Sequence, residues 1–259
     1  PTTINNAGSI TRTVGTGTAG LDMAILNGAG SVDVQTGTLR LSNSLSTGFT
    51  GTLTGPITVQ SGATLEFSGA TYNVNTGATY SGAGATIVTG STVNFGIVPT
   101  FGSLSVSSGT LNVNAGLTGS GTFTLSGGTA NINAASTVAG ALALSGGTLG
   151  GTSALTLNGT GNTWTGGTMS GTGSTVVSGA NTLTISGTGN KFFTQRTLTT
   201  NGLVSLTGGT IYAGGGGVFN NNGTFDVQTN TSWQNYYGGN PTTINNAGSI
   251  TRTVGTGTA

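Results

Sequence analysis

The stretch GSVDVQTGTLRLS, residues 30–42, decides the fold of this chain. Valine or leucine alternates with other residues on both sides of Gly37, and this period of two is typical of a β-strand with one buried face. The glycine lies between the two alternating segments, where a backbone without Cβ can bend or adopt positive φ. The stretch therefore predicts two strands joined by a corner.

The same pattern returns along the chain, at residues 102–114, 121–133, 140–151 and 202–213. In all five segments a second glycine follows the first by seven positions: Gly37, Gly109, Gly128, Gly147 and Gly209. Weaker copies begin at residues 8, 62, 84, 173, 223 and 248. A strand set that recurs at similar steps predicts stacked coils, each pairing with the coils above and below. We expect about ten coils in 240 residues, rising about 48 Å.

A longer repetition encloses these coils. Residues 1–19 and 241–259 are identical, PTTINNAGSITRTVGTGTA. The offset predicts one full tandem repeat, residues 1–240, and the start of the next identical repeat, residues 241–259. We expect the second copy to stack on the same solenoid, against the coil that FNNNGTF opens at residues 219–225.

Composition limits the possible partners. Charged residues make up 3% of the chain and the net charge is +1, against about 25% charged residues in an average soluble domain. No charge field is available to attract nucleic acid or anionic lipid, and no apolar run approaches the ~18 residues of a membrane span. We therefore expect no nucleic-acid partner and no membrane insertion of this segment.

Phrases such as GSGTFTLSGGTANI (residues 119–132) and FNNNGTFDVQ (residues 219–228) resemble the repetitive regions of large bacterial surface proteins. These are filamentous-haemagglutinin-like adhesins and autotransporter passenger regions, and the likeness is one of repeat style. The resemblance implies a right-handed parallel β-helix located outside the cell or on its surface. The residues themselves agree with an all-β solenoid, since Gly, Thr, Ser and Asn disfavour helix interiors.

Catalytic chemistry has few candidate residues, because cysteine and histidine are absent. Asp33 and Asp226 occupy the same place in GSVDVQT and GTFDVQT, so in a continuing array we expect them about two coils, ~10 Å, apart, with Arg252 between them. The pattern favours a charge-compensating surface row, and a carboxylate pair for glycoside chemistry is the alternative. Calcium-binding repeat motifs are also absent. We predict no enzyme activity, no cofactor and no metal.

Asparagines recur just before the phrase-opening glycines: Asn5, Asn6, Asn27, Asn201, Asn221 and Asn222. Asparagine tolerates turn conformations and can hydrogen-bond to an identical residue in a neighbouring coil. The sequence leaves two interpretations open, a side-chain ladder at a corner and independent turn preferences.

Aromatic residues concentrate in the least repetitive stretches, KFFTQR at residues 191–196 and SWQNYYGG at residues 232–239. Exposed rings can stack on sugars while neighbouring amides bind hydroxyl groups. The alternative is that the rings fill wider coils or cover loops. The candidate ligand-binding residues are Trp233, Tyr236, Tyr237, Phe192, Phe193 and Trp164.

Three functions follow from these patterns. The first is a structural repeat of an extracellular fibre, stalk or sheath, whose partners are identical repeats end to end and neighbouring fibres in lateral bundles. The second is an adhesin that binds glycans or a surface through its aromatic loops, and the third is a polysaccharide-active β-helical enzyme. Identical copies favour the first two, because repetition supplies length or avidity.

Overall fold

A computed structural model describes residues 2–22, 24–43, 48–119, 121–179 and 181–257. These residues form 34 β-strands and no helix. The strands pair in parallel with their neighbours one coil away, in about eleven turns. The prediction of an all-β solenoid is confirmed.

Each turn places one strand on each of three faces. The first face contains β1 (Thr2–Asn5), β4 (Ala24–Asn27), β7 (Thr50–Leu53), β10 (Thr71–Val74), residues 92–95 of β12 (Ala85–Phe95), residues 110–113 of β14 (Ser103–Val113), β17 (Thr129–Ile132), β20 (Thr148–Gly150), β23 (Gly167–Met169), β26 (Lys191–Thr194), β29 (Ile211–Gly214) and β32 (Trp233–Tyr237).

The second face contains β2 (Ser9–Arg12), β5 (Ser31–Val34), β8 (Pro56–Val59), β11 (Thr79–Ser81), β13 (Thr100–Phe101), β15 (Thr118–Gly119), β18 (Ser136–Val138), β21 (Ala154–Leu157), β24 (Ser174–Val177), β27 (Thr197–Thr200), β30 (Val218–Asn221) and β33 (Thr243–Asn246). The third contains β3 (Thr18–Asp22), β6 (Thr38–Ser42), β9 (Thr64–Ser68), residues 85–88 of β12, residues 103–106 of β14, β16 (Phe123–Leu125), β19 (Leu142–Leu144), β22 (Asn162–Trp164), β25 (Thr182–Ile185), β28 (Leu203–Leu206), β31 (Thr224–Val227) and β34 (Ser249–Thr251).

The core is a narrow stack of inward-facing side chains. On the third face Leu104, Phe123 and Leu142 are register partners in successive coils, and on the first face Val113 lies beside Ile132. All five are at most 1% exposed, and full burial of such a side chain contributes about 1.5–3 kcal/mol. The alternating pattern in the sequence therefore places its apolar members inside the solenoid.

The phrase glycines form corners. Gly37, Gly109, Gly128, Gly147 and Gly209 all have positive φ, between 59° and 79°. At Gly128 a Cβ atom would also lie only 2.5 Å from the carbonyl oxygen of Gly109, one coil away. Both the backbone conformation and the close stacking of corners therefore require glycine there.

The 240-residue period contains more turns than the phrases suggest. Thr3 to Asn5 belong to β1 on the first face, whereas the identical residues Thr243 to Asn245 belong to β33 on the second face, eleven turns and one face later. The phrases indicate about ten turns because they do not all begin on one face. The phrase at residue 30 leads into β5 on the second face, and the next, at residue 62, leads into β9 on the third. The long steps therefore cover more than one turn.

Candidate functional site

Four aromatic rings form a patch on the outside of the first face. Phe192 lies on β26, Tyr212 on β29, and Tyr236 and Tyr237 on β32, so the patch spans three successive coils. We call these four residues the aromatic patch. In β26 the alternation turns Lys191 and Phe193 inward, and therefore Phe192 outward.

The rings of the patch contact one another along the solenoid axis. Phe192 stacks on Tyr212 with centroids 5.7 Å apart and planes at 24°. Tyr212 meets Tyr236 edge to face at 4.9 Å, and Tyr236 meets Tyr237 in the same way at 5.4 Å. Tyr236 is 64% exposed, while the other three are half-buried. The result is an apolar surface that carries phenol hydroxyls, beside the exposed amides of Gln234 and Asn235.

The patch contains three of the six aromatic candidates from the sequence, Phe192, Tyr236 and Tyr237. Tyr212 was not among those candidates, because it lies in the regular phrase at residues 202–213. Its position next to the inward Ile211 placed it on the outer surface, and that alternation is the signal that could have found it.

The other three candidates belong to the core. Trp164 and Phe193 are fully buried, so neither offers a ring to a surface ligand, and the ligand-binding hypothesis no longer includes them. Trp233 is half-buried and stacks on Phe219 at 5.3 Å, with the ring of Phe193 perpendicular to it at 5.7 Å. These rings fill the wider C-terminal coils, as the alternative interpretation of the aromatic stretches expected.

The stretch KFFTQR also contains two buried cations. Arg196 is 0% exposed and donates to the carbonyl oxygens of Gly150, Ser170 and Ser174, and to the hydroxyl of Thr175 at 2.8 Å. The three carbonyl acceptors belong to the two preceding coils, so one guanidinium connects three coils. Gln195 directly before it has a φ of +62°, a left-handed conformation at this corner that is uncommon for a residue with a side chain.

Burial changes the ionisation of both cations. Desolvation lowers the pKa of Arg196 to about 10 and also lowers the pKa of Lys191. The Lys191 ammonium group donates to the carbonyl oxygen of Gly189 at 2.8 Å. Both cations bind neutral acceptors of the backbone and a hydroxyl, which fits a structural role in closing corners.

The carboxylates do not form a catalytic pair within the described residues. Asp33 lies on β5 and Asp226 on β31, on different faces, whereas the predicted two-coil spacing concerns Asp226 and the copy of Asp33 in a following repeat and stays a prediction. Each accepts a hydrogen bond from the glutamine two positions later, Gln35 at 2.7 Å and Gln228 at 2.6 Å. The part of the chain that the structure describes has no group of three or more Asp, Glu, His or Cys that could hold a metal ion.

Asparagine side chains form hydrogen-bonded rows. Asn222 donates to Asn201 at 3.0 Å and Asn221 to Asn246 at 2.7 Å. Asn6 and Asn27 instead bond to the backbone, at Ser31 O and Thr52 N respectively. Asn5 is the register partner of Asn27 on the first face.

The longest asparagine row lies outside the predicted set. Asn94 donates to Asn73, Asn112 to Asn94 and Asn131 to Asn112, at 2.7 to 2.8 Å. Its four members are outward residues of successive strands on the first face. Each of the four follows a threonine by two positions, and this common place was visible in the sequence.

A shallow groove lies on the outside of the second face, with a volume of about 340 Å³. Its lining is Thr100, Thr118, Gly119, Thr137 and Ala139. Among the residues that the structure describes, this lining has no acid, base or nucleophile beyond threonine hydroxyls, so these residues form no catalytic constellation.

Comparison with known proteins finds no matching family, no matching curated protein and no matching solved structure. Among the described residues no helix is long and apolar enough to cross a membrane. The proposed function therefore rests on the fold and on the residues of the surface.

Proposed function

We propose that this chain is a structural unit of a long fibre, stalk or sheath outside the cell, built from tandem 240-residue solenoid repeats. The observation that supports the proposal is the way in which the duplicated sequence packs. Its first copy packs against the coil that follows it, and its second copy packs against the coil that precedes it.

The inward isoleucines of the two copies illustrate this division. In the first copy Ile4 is the register partner of Leu26 in the next coil. In the second copy its counterpart Ile244 is the partner of Phe219 in the preceding coil. Ile244 remains 45% exposed, although its partner Phe219 is fully buried. A continuing array would give one isoleucine both neighbours and complete its burial.

Polar contacts also hold the second copy on the first repeat. The hydroxyls of Thr251 and Thr253 donate to the Asp226 carboxylate at 3.1 and 2.8 Å. Arg252 donates to the side-chain oxygen of Asn230 at 2.6 Å. We call the contact between residues 218–230 and 241–257 the junction. It combines ladder pairing, a continuous core and side-chain hydrogen bonds, which is what a rigid connection between repeats needs.

The length of engineered arrays tests the fibre. Polypeptides with one, two and four repeats should appear by electron microscopy as straight rods that lengthen by about 54 Å per repeat, since eleven and one third turns rise ~4.8 Å each. A matched array with a flexible Gly/Ser linker between residues 240 and 241 should bend at the linker. Beads joined by hinges in the unmodified array would contradict the proposal.

The location outside the cell needs a separate measurement. Antibodies raised against the repeat should label intact cells of the source organism, and added protease should remove that labelling without lysis. Labelling that needs permeabilised cells would place the repeat inside and contradict this part of the proposal. The resemblance of the repeat phrases to bacterial surface proteins supports the external location.

The aromatic patch favours a second candidate function, adhesion to glycans. Its rings offer stacking surfaces and its hydroxyls and neighbouring amides offer hydrogen bonds, the combination that carbohydrate sites use. The double variant Tyr212→Ser/Tyr236→Ser should lose binding to a glycan array that the parent chain binds. Val98→Ser is the matched control, because Val98 is 51% exposed and lies outside the patch. Equal binding by parent and double variant would contradict this function.

A further inference from the structure

The two copies of the duplicated sequence lie on different faces of the solenoid. Ser9 to Thr11 belong to β2 on the second face, and pair with Ser31 to Asp33 of β5. The identical residues Ser249 to Thr251 belong to β34 on the third face, and pair with Thr224 to Asp226 of β31. The preceding strand of the duplicated sequence shifts in the same way, because it forms β1 on the first face in the first copy and β33 on the second face in the second copy.

We infer that each repeat in the array is turned by one face relative to the repeat before it. This inference rests on the proposed fibre. Because one repeat makes eleven and one third turns, three repeats make thirty-four whole turns and restore the original orientation. The array therefore has a threefold screw in its surface features, although a single repeat has no such symmetry.

The shift determines where the aromatic patch lies. It is on the first face of one repeat, on the second face of the next and on the third face of the one after that, at axial intervals of about 54 Å. A fibre built in this way presents the patch in three directions. It can contact a glycan surface or a neighbouring fibre on any side, whereas an array without the shift would be a one-sided ribbon.

The shift also brings polar residues of successive repeats onto the same face at the junction. Thr251 lies beside Asp226 in the described junction, and its first-copy counterpart Thr11 lies beside Asp33 in the following coil. In the array Asp226, Thr251 and the next repeat's copy of Asp33 therefore form one column on the third face. Without the shift that aspartate would lie on another face.

Two labelled arrays of two repeats test the shift. The chain has no cysteine, so a single introduced cysteine per repeat can carry a biotin label and then streptavidin. The first array carries Thr168→Cys in both repeats. The second carries Thr168→Cys in the first repeat and Thr163→Cys in the second repeat, where Thr163 is an outward residue of the third face only five positions away.

Electron microscopy of single rods gives the result. We expect the labels of the first array on different sides of the rod and those of the second array on the same side. The slow twist of stacked strands adds nearly the same angle between the two labels in both arrays. The difference between the label angles of the two arrays therefore measures the shift of one face. The reverse pattern on intact rods would overturn the shift and leave the fibre standing. Two hinged beads in place of a rod would overturn the fibre, and the shift with it.

Discussion

The central coils, residues 92–150, differ from the C-terminal coils, residues 191–257, in how they close their corners. Thr92, Thr110, Thr129 and Thr148 are successive register partners, so the central coils are short and nearly equal in length. In the C-terminal coils the steps lengthen, as between Val218 of β30 and its register partner Thr243 of β33. Both regions use glycine corners, such as Gly128 and Gly209, and the C-terminal coils add large or charged inward side chains, among them Arg196 and Trp233.

The largest expected effect is at a central corner. Gly128→Ala should destabilise the chain by about 3–5 kcal/mol, because it adds positive-φ strain and places a Cβ atom against the Gly109 carbonyl oxygen. The measurement is the urea unfolding midpoint at constant slope. Gly62→Ala is the control, since Gly62 has a φ of +79° with open space around it, and should cost about 1–2 kcal/mol. Equal costs at the two positions would mean that the central corners are not tightly stacked.

The sequence predicted this part of the molecule well. Leu104, Phe123 and Leu142 repeat one inward position at one spacing, and equal steps of this kind can only come from successive coils of the same size. The number of turns was less accessible. A strand–corner–strand phrase covers two of the three faces and does not say which two. The long steps that end at the phrases of residues 62, 173 and 202 therefore each include a partial turn that the phrase count missed.

The second-largest expected loss of stability is at a C-terminal corner. Arg196→Met removes the donor to four buried or partly buried acceptors, among them Ser174 O and Thr175 Oγ1. We expect a loss of about 2–4 kcal/mol, since unsatisfied buried acceptors cost about 1–3 kcal/mol each and the relief of a buried charge offsets part of this. Arg40→Met is the control, because Arg40 makes an exposed ion pair with Asp22 at 2.7 Å, and such pairs contribute about 0–1 kcal/mol. A cost for Arg196→Met no greater than the control would show that the long coils do not depend on this side chain.

Arg196 also shows why the roles of the residues in the stretch KFFTQR were only partly predictable. In KFFTQR the alternation places Lys191 and Phe193 inward, yet a charged residue is ordinarily expected in solvent, because burial of an unpaired charge is costly. The acceptors that stabilise Arg196 are backbone carbonyls in the preceding coils. Their convergence depends on three-dimensional stacking and leaves no local signal.

The third effect concerns the asparagine row of the first face. Asn112 both donates to Asn94 and accepts from Asn131, so Asn112→Ala breaks two side-chain bonds. We expect a loss of about 1–2 kcal/mol, since each partly exposed hydrogen bond contributes about 0.5–1.5 kcal/mol. Asn235→Ala, at an exposed position of β32, should change the free energy of unfolding by less than about 0.5 kcal/mol. If both variants have the same free energy of unfolding, the asparagine row is a consequence of coil stacking and does not stabilise the solenoid.

The smallest expected effect is a difference between the two regions in the pH dependence of their local stability. Residues 81–190 contain no Asp, Glu, Lys, Arg, His or Tyr, so the central coils have no side chain that titrates. In the C-terminal coils the hydrogen bond from Gln228, followed by those from Thr253 and Thr251, lowers the pKa of Asp226. A carboxyl group whose pKa is lowered by folding stabilises the fold above its unfolded pKa of about 4, and this contribution is lost as the pH falls through the folded pKa.

Regional hydrogen exchange at pH 7 and at pH 2.5 measures that difference. After correction for intrinsic exchange rates, amides of β31 and β34 should lose protection in acid, because protonation of the Asp226 carboxylate weakens the hydrogen bonds that it accepts from Gln228, Thr251 and Thr253. Amides of β14 and β17 should keep theirs. Asp226→Asn should remove the acid sensitivity of β31 and β34 and leave the central coils unchanged. Equal loss of protection in both regions would mean that the coils unfold as one cooperative unit, in which the junction and the glycine corners share a single stability.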